Sequence, residues 1–193
     1  MTFNDRADAL TLLLSRRSGK PRDMVAPGPD ATQLAAILAA ATRVPDHGKL
    51  APWRFVVVPA EARQRLAALL ADTLRAERPD AGRLDFQAAD EFARQAPVLV
   101  VALSSPRTDA PIPLWEQELS AGAACMQLLN AAHALGFVGS WITGWPAFSP
   151  LVRDAFGAAH ERIAGFLYLG SPSRPLEERP RPEPAAVITT WAG

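Results

Sequence analysis

The chain has 193 residues, 49% hydrophobic and 21% charged, so it is long and apolar enough to fold around one core. Its 20 basic and 20 acidic residues cancel, which argues against a protein whose main partner is nucleic acid. One cysteine excludes an intrachain disulfide, and the three histidines stand at no spacing typical of a metal site.

Several easily recognised classes are absent from the sequence. No P-loop, no G-x-G-x-x-G dinucleotide fingerprint and no G-x-S-x-G nucleophile elbow occurs, and we expect no metal and no side-chain nucleophile. The N-terminus is polar and acidic, and the apolar runs are too short to span a bilayer. We therefore expect a cytoplasmic protein without a membrane partner.

Helices and strands alternate along the chain, which predicts helices packed on both faces of a mixed sheet in one domain over residues 1–193. Capping residues and apolar periodicity predict helices over 4–15 (capped by Asn4 or Asp5), 30–42, 60–76, 84–95, 114–135 and 149–157. β-branched and continuous apolar runs predict buried strands over 53–58, 98–104 and 163–169, and residues 138–143 are predicted to be a short extended segment.

The last part of the chain, residues 171–193, is called the C-terminal arm here. It has five prolines between Ser171 and Ala186, a composition that excludes a helix or a central strand and predicts extended backbone. Residues 187–191 then resemble a strand. The arm therefore either docks at a distance, with another subunit as a reasonable partner, or is a loose tail.

Two polar segments are candidate binding sites. Arg16, Arg17 and Ser18 begin a cluster of cations that suits a phosphate dianion, although cations after a helix are often only solvated. The loop from Arg43 to Pro52 carries His47 between two structured elements, as either a ligand site or an ordinary surface loop.

Two apolar segments complete the set. The helix over 114–135 is apolar nearly all round and about 30 Å long, so one monomer supplies too few neighbours to cover it. The segment over 136–145 combines glycine with tryptophan, which suits either contact with a planar cofactor or tight packing.

Taken in order, these motifs resemble the nitroreductase family, in particular its short single-domain branch. The motifs are R-R-S, R-x-P-D-H-x-x-x-x-P-W-R-F, W-E-Q-E-x-S-A-G-A-A, L-G-F-x-G-S-W-x-T-G and G-F-L-Y-L-G-S-P. The resemblance implies an α+β fold with three α/β/α layers, an intertwined homodimer, and two FMN molecules at the dimer interface. It also implies electrons from NADPH or NADH and ping-pong hydride transfer to a nitroaromatic, quinone or similar planar acceptor.

The resemblance also implies roles for particular residues. Cofactor-binding positions would be Arg16, Arg17 and Ser18 at the phosphate and ribityl chain, Arg43 and His47 from the other subunit, and Trp141, Ile142 and Thr143 beside the isoalloxazine. The long helix would form the dimer core, and the C-terminal arm would reach the partner's sheet. No catalytic side chain is implied, because the flavin itself performs the redox chemistry.

The sequence departs from the common family pattern at two places, of which the first is Asp46-His47, where small hydroxyl residues are frequent. Leu50 and Ala51 precede Pro52 where many members carry Asn and Gln. These departures leave the contacts at the flavin edge and the substrate preference open. Separately, a non-catalytic FMN-binding dimer that stores or handles the cofactor is an alternative function, and a flavin-free scaffold is a third.

Overall fold

The computed structural model describes residues 2–193, and a five-stranded sheet forms their centre. The strands are Met24–Val25 (β1), Trp53–Val58 (β2), Val98–Ser104 (β3), Val138–Ile142 (β4) and Arg162–Pro172 (β5). β5 pairs with β1, β3 and β4, and β3 pairs in turn with β2. The sequence analysis missed β1, because a two-residue strand carries no periodic signal.

Every pairing in the described sheet is antiparallel, so the expectation of a mixed sheet is wrong for the single chain. Two helices instead of one connect β2 to β3, which returns the chain to the end of the sheet that it left. β3 and β4 do run parallel, but β5 lies between them, so no two neighbouring strands are parallel.

Helices cover both faces of this sheet, as the strand and helix alternation predicts. They are Ala9–Ser15 (α1), Ala31–Ala41 (α2), Arg63–Glu77 (α3), Arg83–Arg94 (α4), Leu114–Ala134 (α5), Pro150–Phe156 (α6) and Pro184–Val187 (α7). Leu70 and Leu74 of α3 pack with Phe166 and Tyr168 in one core, and Ile37 of α2 packs in the core that α5 forms on the opposite face. The three layers and the α+β class are therefore as expected.

The first helix is shorter than predicted. It begins at Ala9 with Asp8 as its cap, since the Asp8 carboxylate accepts the free amides of Leu10 and Thr11. Asn4 is not the cap. Its side-chain amide instead forms a reciprocal pair with the backbone of Arg17, with bonds of 2.8 and 3.1 Å.

The C-terminal arm also differs from expectation. Its first two residues, Ser171 and Pro172, complete β5, and a four-residue helix forms at Pro184–Val187 where proline was taken to exclude one. Proline is compatible with the first turn of a helix, and Pro184 occupies that position. The predicted strand over 187–191 is absent from the described chain, where these residues are exposed and make no sheet pairing.

The long helix α5 is only half covered by its own chain. Ala124, Cys125 and Leu128 are fully buried, whereas Trp115 and Leu119 are about 60% exposed. An exposed apolar patch of this kind, at the start of α5, is typical of a surface that binds a protein or a ligand. Within residues 2–193, none of the helices has the length and hydropathy needed to cross a bilayer.

Candidate functional site

The segment directly after α1, residues 16–20, is called the arginine loop here. Gly19 donates its amide to the Gly139 carbonyl at 3.3 Å, and the Asn4 pair fixes Arg17, so the loop lies along the exposed edge of β4. Arg16 donates to the Ser18 hydroxyl at 3.1 Å. The sequence motif R-R-S is therefore one compact group of donors held against the sheet.

Arg16 is a partly buried cation without a carboxylate partner among the described residues. Burial, together with the nearby charges of Arg181 and Arg17, lowers the pKa of the Arg16 guanidinium from its ordinary value. Binding of an anion would stabilise neighbouring cations that have no counter-ion of their own.

His133 lies beneath the arginine loop, fully buried near the end of α5. Its Nε2 accepts the Gly139 amide at 3.2 Å, which assigns the ring proton to Nδ1, and Nδ1 has no partner in the described chain. Burial first and the charge of Arg16 second lower the pKa of His133 to about 4. A neutral imidazole therefore underlies the cations and adds no charge of its own.

The beginning of the C-terminal arm folds over the arginine loop. Arg17 donates from Nε to the Glu177 carbonyl at 2.6 Å, and Arg181 donates to the Arg16 carbonyl at 3.3 Å. An ion pair between Arg174 and Asp23 fastens the start of the arm to its own chain. Arg174 and Arg181 thus join the cation cluster, which sequence reasoning missed although the arm's arginines were visible in its composition.

Residues 43–51, called the histidine loop here, lie against the N-terminal end of α5. The Asp46 carboxylate accepts the amides of Leu50 and Ala51 at 3.0 and 2.8 Å, and the Ser120 hydroxyl of α5 donates to the Pro45 carbonyl. Ala51 has φ 47°, in the left-handed region that costs energy for a residue with a Cβ. The loop is therefore fixed in an unfavourable backbone conformation by its side-chain bonds.

His47 projects from this loop and is largely exposed, and its Nδ1 lies 2.8 Å from the Glu116 carboxylate of α5. Arg43 is also exposed, at the end of α2. Glu116 was not singled out from the sequence, because the start of a helix commonly carries an acidic residue for the helix dipole alone.

The glycine and tryptophan segment lies between the two loops. Trp141 donates its indole N–H to the Ala164 carbonyl at 2.9 Å and lies against α5 near Gly122. The neighbouring Ile142 packs instead in the core of the opposite face, because successive strand residues point to opposite sides. Only the Ile142 backbone, together with Thr143 beyond it, is available beside Trp141.

A single chain does not bring the two loops together. His47 contacts Glu116 at the start of α5, whereas Arg16 influences His133 near its end. Seventeen residues of helix separate these positions, a distance of roughly 25 Å at 1.5 Å per residue. Arg16, Arg17 and Ser18 form one group, and Arg43 and His47 a second, separate group.

The comparisons with known proteins agree with this fold. The family model described as "Nitroreductase family" matches residues 13–171, and the chain belongs to that family. It is 40% identical over 166 residues to "Putative NAD(P)H nitroreductase YdjA" of Escherichia coli strain K12, covering 86% of this chain and 88% of the relative.

Two solved structures share the fold at low sequence identity. A nitroreductase-like family protein from Bacillus cereus superposes with a TM-score of 0.80 and 20% identity over the whole of both chains. A nitroreductase with bound FMN from Bacteroides fragilis has a TM-score of 0.70 and 19% identity, covering 95% of this chain and 98% of its own.

Proposed function

We propose that the protein is a homodimeric, FMN-dependent oxidoreductase that takes electrons from NADPH or NADH and reduces a nitroaromatic, quinone or similar planar acceptor. The main support for this proposal is that Arg16 is partly buried, has no counter-ion, and lies in a cluster of cations. The chain that contains this cluster belongs to the nitroreductase family. Relatives named as NAD(P)H nitroreductases and a fold neighbour with bound FMN support the same cofactors.

The arginine loop fits the phosphate of FMN by its chemistry. A phosphate dianion would supply the negative counter-charge that Arg16 and Arg17 do not find in their own chain. The planar guanidinium groups suit bidentate contact with its oxygens. The Ser18 hydroxyl would serve the phosphate or the ribityl chain. The start of the C-terminal arm narrows the pocket beside this loop to about 40 Å³, so the phosphate would displace the Glu177 backbone from Arg17.

The other predicted residues have distinct parts in this proposal. Trp141, the Ile142 backbone and Thr143 would lie beside the isoalloxazine, and Arg43 and His47 of a second copy would close the site. When bound, FMN supplies two-electron transfer between a nicotinamide and an acceptor. The protein's part is to hold the planar groups in register and to keep positive charge near the cofactor.

The need for a second copy follows from the separation of the two loops. Roughly 25 Å of helix lies between them in one chain, so no side chain of one loop can reach the other within that chain. Two α5 helices packed antiparallel in a symmetric dimer would bring the arginine loop of one chain to the histidine loop of the other.

The end of the C-terminal arm would complete the dimer. Ile188 and Trp191 are about 70% and 90% exposed, and β2 is an edge strand whose outer side is unpaired. Open strand edges readily accept another strand. We expect removal of residues 184–193 to raise the dimer dissociation constant at least tenfold; an unchanged mass at all concentrations would show that the arm is a loose tail.

The test of the cofactor site is FMN affinity. The double variant Arg16→Ala and Arg17→Ala should weaken FMN at least a hundredfold, since each charge-assisted bond is worth about 1.5–3 kcal/mol. The control is Arg75→Ala with Arg94→Ala, which removes the same charge from exposed ion pairs on α3 and α4. FMN retained by the first variant at wild-type stoichiometry would contradict the assignment.

Turnover separates the enzyme from the storage alternative. We expect the FMN-loaded protein to oxidise NADPH or NADH in the presence of a quinone or nitroaromatic, at a rate proportional to protein concentration. A yellow, FMN-loaded protein that oxidises neither nucleotide would instead be the non-catalytic FMN-binding dimer.

A further inference from the structure

The start of α5 carries an apolar groove with one polar pair at its rim. The groove has a volume of about 420 Å³ and is lined by Pro45, His47, Trp115, Glu116, Leu119, Ser120 and Ala123. Its flat aromatic wall is Trp115, and its ionisable groups are His47 and Glu116. Small-molecule sites commonly combine an apolar surface with a few converging polar groups.

The polar pair has a defined geometry. The Glu116 carboxylate lies 2.8 Å from His47 Nδ1, so Nδ1 carries the proton that is donated to it. This bond leaves Nε2 free of any partner in the described chain. The other nearby carboxylate, Asp46, is engaged with the amides of Leu50 and Ala51, so Glu116 alone orients the ring.

Stability does not explain the pair. His47 has a side chain about 64% exposed, and exposed ion pairs contribute little to folding. Nevertheless the histidine loop keeps Ala51 at a positive φ and is tied to α5 by Ser120, which together hold His47 at the groove. Left-handed backbone at a non-glycine residue is often maintained where a side chain must be positioned.

We propose that His47 donates a proton to the acceptor during its reduction, and that Glu116 is the positioning residue that orients His47. This inference rests on the proposed function, which supplies the hydride from NADPH or NADH. The acceptor would be an aromatic compound that lies against Trp115 with an oxygen directed at His47 Nε2.

The step balances for a nitro group. Reduction to the nitroso compound takes one hydride and one proton and releases one water molecule. The proton comes from the His47 imidazolium: its Nε2–H bond breaks and an O–H bond forms on the departing oxygen. The hydrogen that arrives as hydride becomes the second hydrogen of the water, and the N–O bond breaks as the water leaves. The neutral ring keeps the proton on Nδ1, where it is hydrogen-bonded to Glu116. Nε2 then regains a proton from solvent.

The two half-reactions separate this role from cofactor binding. With FMN saturating, His47→Gln should slow oxidation of the reduced protein by 4-nitrobenzoate about a hundredfold, which is the usual range for a general acid. Glu116→Gln should slow it about fivefold, because the amide still accepts the Nδ1 proton but carries no charge. Reduction by NADPH should slow less than oxidation in both variants, and the ratio of the two rate constants is the quantity measured.

A second glutamate of α5 provides a control for Glu116, and added imidazole can replace the missing His47 side chain. Glu118→Gln, two residues along α5 and paired with Arg162 instead, should leave both half-reactions unchanged. Added imidazole should restore at least a tenth of the oxidative rate to His47→Gly. Nitrogen-15 NMR of the cofactor-free protein should show a single Nδ1–H tautomer for neutral His47, and a mixture with Nε2–H in Glu116→Leu.

Three results would overturn the inference. An unchanged oxidative half-reaction in His47→Gln would remove the proton donor while leaving the oxidoreductase intact. If the His47 and Glu116 variants changed only the fraction of dimer in solution, the pair would be an interface contact and not a proton donor with its positioning residue. A wild-type protein that neither holds FMN nor oxidises NADPH or NADH would overturn the proposed function, and the proton donor with it.

Discussion

The arginine loop and the histidine loop are held in opposite ways. The arginine loop is joined to β4 by the backbone bond from Gly19 to Gly139, lies above the buried His133, and contains Arg16, which has no carboxylate partner in the described chain. The histidine loop is exposed, and two of its acidic and basic side chains are bonded: Asp46 accepts the amides of Leu50 and Ala51, and His47 lies against Glu116. In the function we propose, the first region would bind an anion, the second would present a positioned side chain, and each would be half of one site.

The largest expected effect comes from mixing two defective chains. Chains with Arg16→Ala and Arg17→Ala, refolded with chains carrying Arg43→Ala and His47→Ala, should recover about a quarter of the wild-type sites, since each mixed dimer contains one intact site. NADPH oxidation per chain measures the recovery. No recovery above that of the separate variants would show that both loops serve the same-chain site.

The buried His133 makes the arginine-loop side sensitive to acid. Because folding lowers its pKa from about 6.5 to about 4, the folded state binds fewer protons, and stability falls as pH falls through that window. We expect a loss of about 2 to 3 kcal/mol between pH 6.5 and 4, measured by urea unfolding. In His133→Gln, the free energy of unfolding should depend less on pH between 6.5 and 4. An equally steep dependence in this variant would show that other groups cause the loss.

Close packing under the arginine loop predicts the next effect. A Cβ on Gly139 would lie 2.6 Å from Leu129 Cδ2 and 3.3 Å from Leu169 Cδ2. We expect Gly139→Ala to lower the free energy of unfolding by about 1–3 kcal/mol and to weaken FMN binding in parallel. Gly122→Ala is the matched control, because its Cβ meets only Trp141 at 3.9 Å. Thermal melts that rank the two variants equally would contradict this packing.

The smallest effect tests the strain in the histidine loop. Ala51→Gly should leave stability within about 1 kcal/mol of wild type, since glycine relieves the positive φ but adds freedom to the unfolded chain. The looser loop should nevertheless slow acceptor reduction more than reduction by NADPH. Equal rates for both half-reactions would show that the backbone conformation has no part in positioning His47.

Local sequence signals predicted most of the fold. The capping box of Asp30 and Gln33, the Ser149–Pro150 start of α6 and the apolar run of β3 act within a few residues, and the structure has all three. Predictions that depend on distant contacts were less accurate. Asn4 was expected to cap a helix and instead binds Arg17, and the strand expected over 187–191 has no partner within its own chain.

The sequence by itself determined the three layers, the family and the grouping of Arg16, Arg17 and Ser18, because periodicity, caps and short motifs are local properties. Only the tertiary structure decided that Arg174 and Arg181 lie beside this group, that Ile142 faces the core, and that Glu116 lies against His47. These contacts join residues far apart in the chain, and their geometry depends on how α5 packs against the sheet. That packing also places the two loops at opposite ends of one helix, out of reach of each other within a single chain.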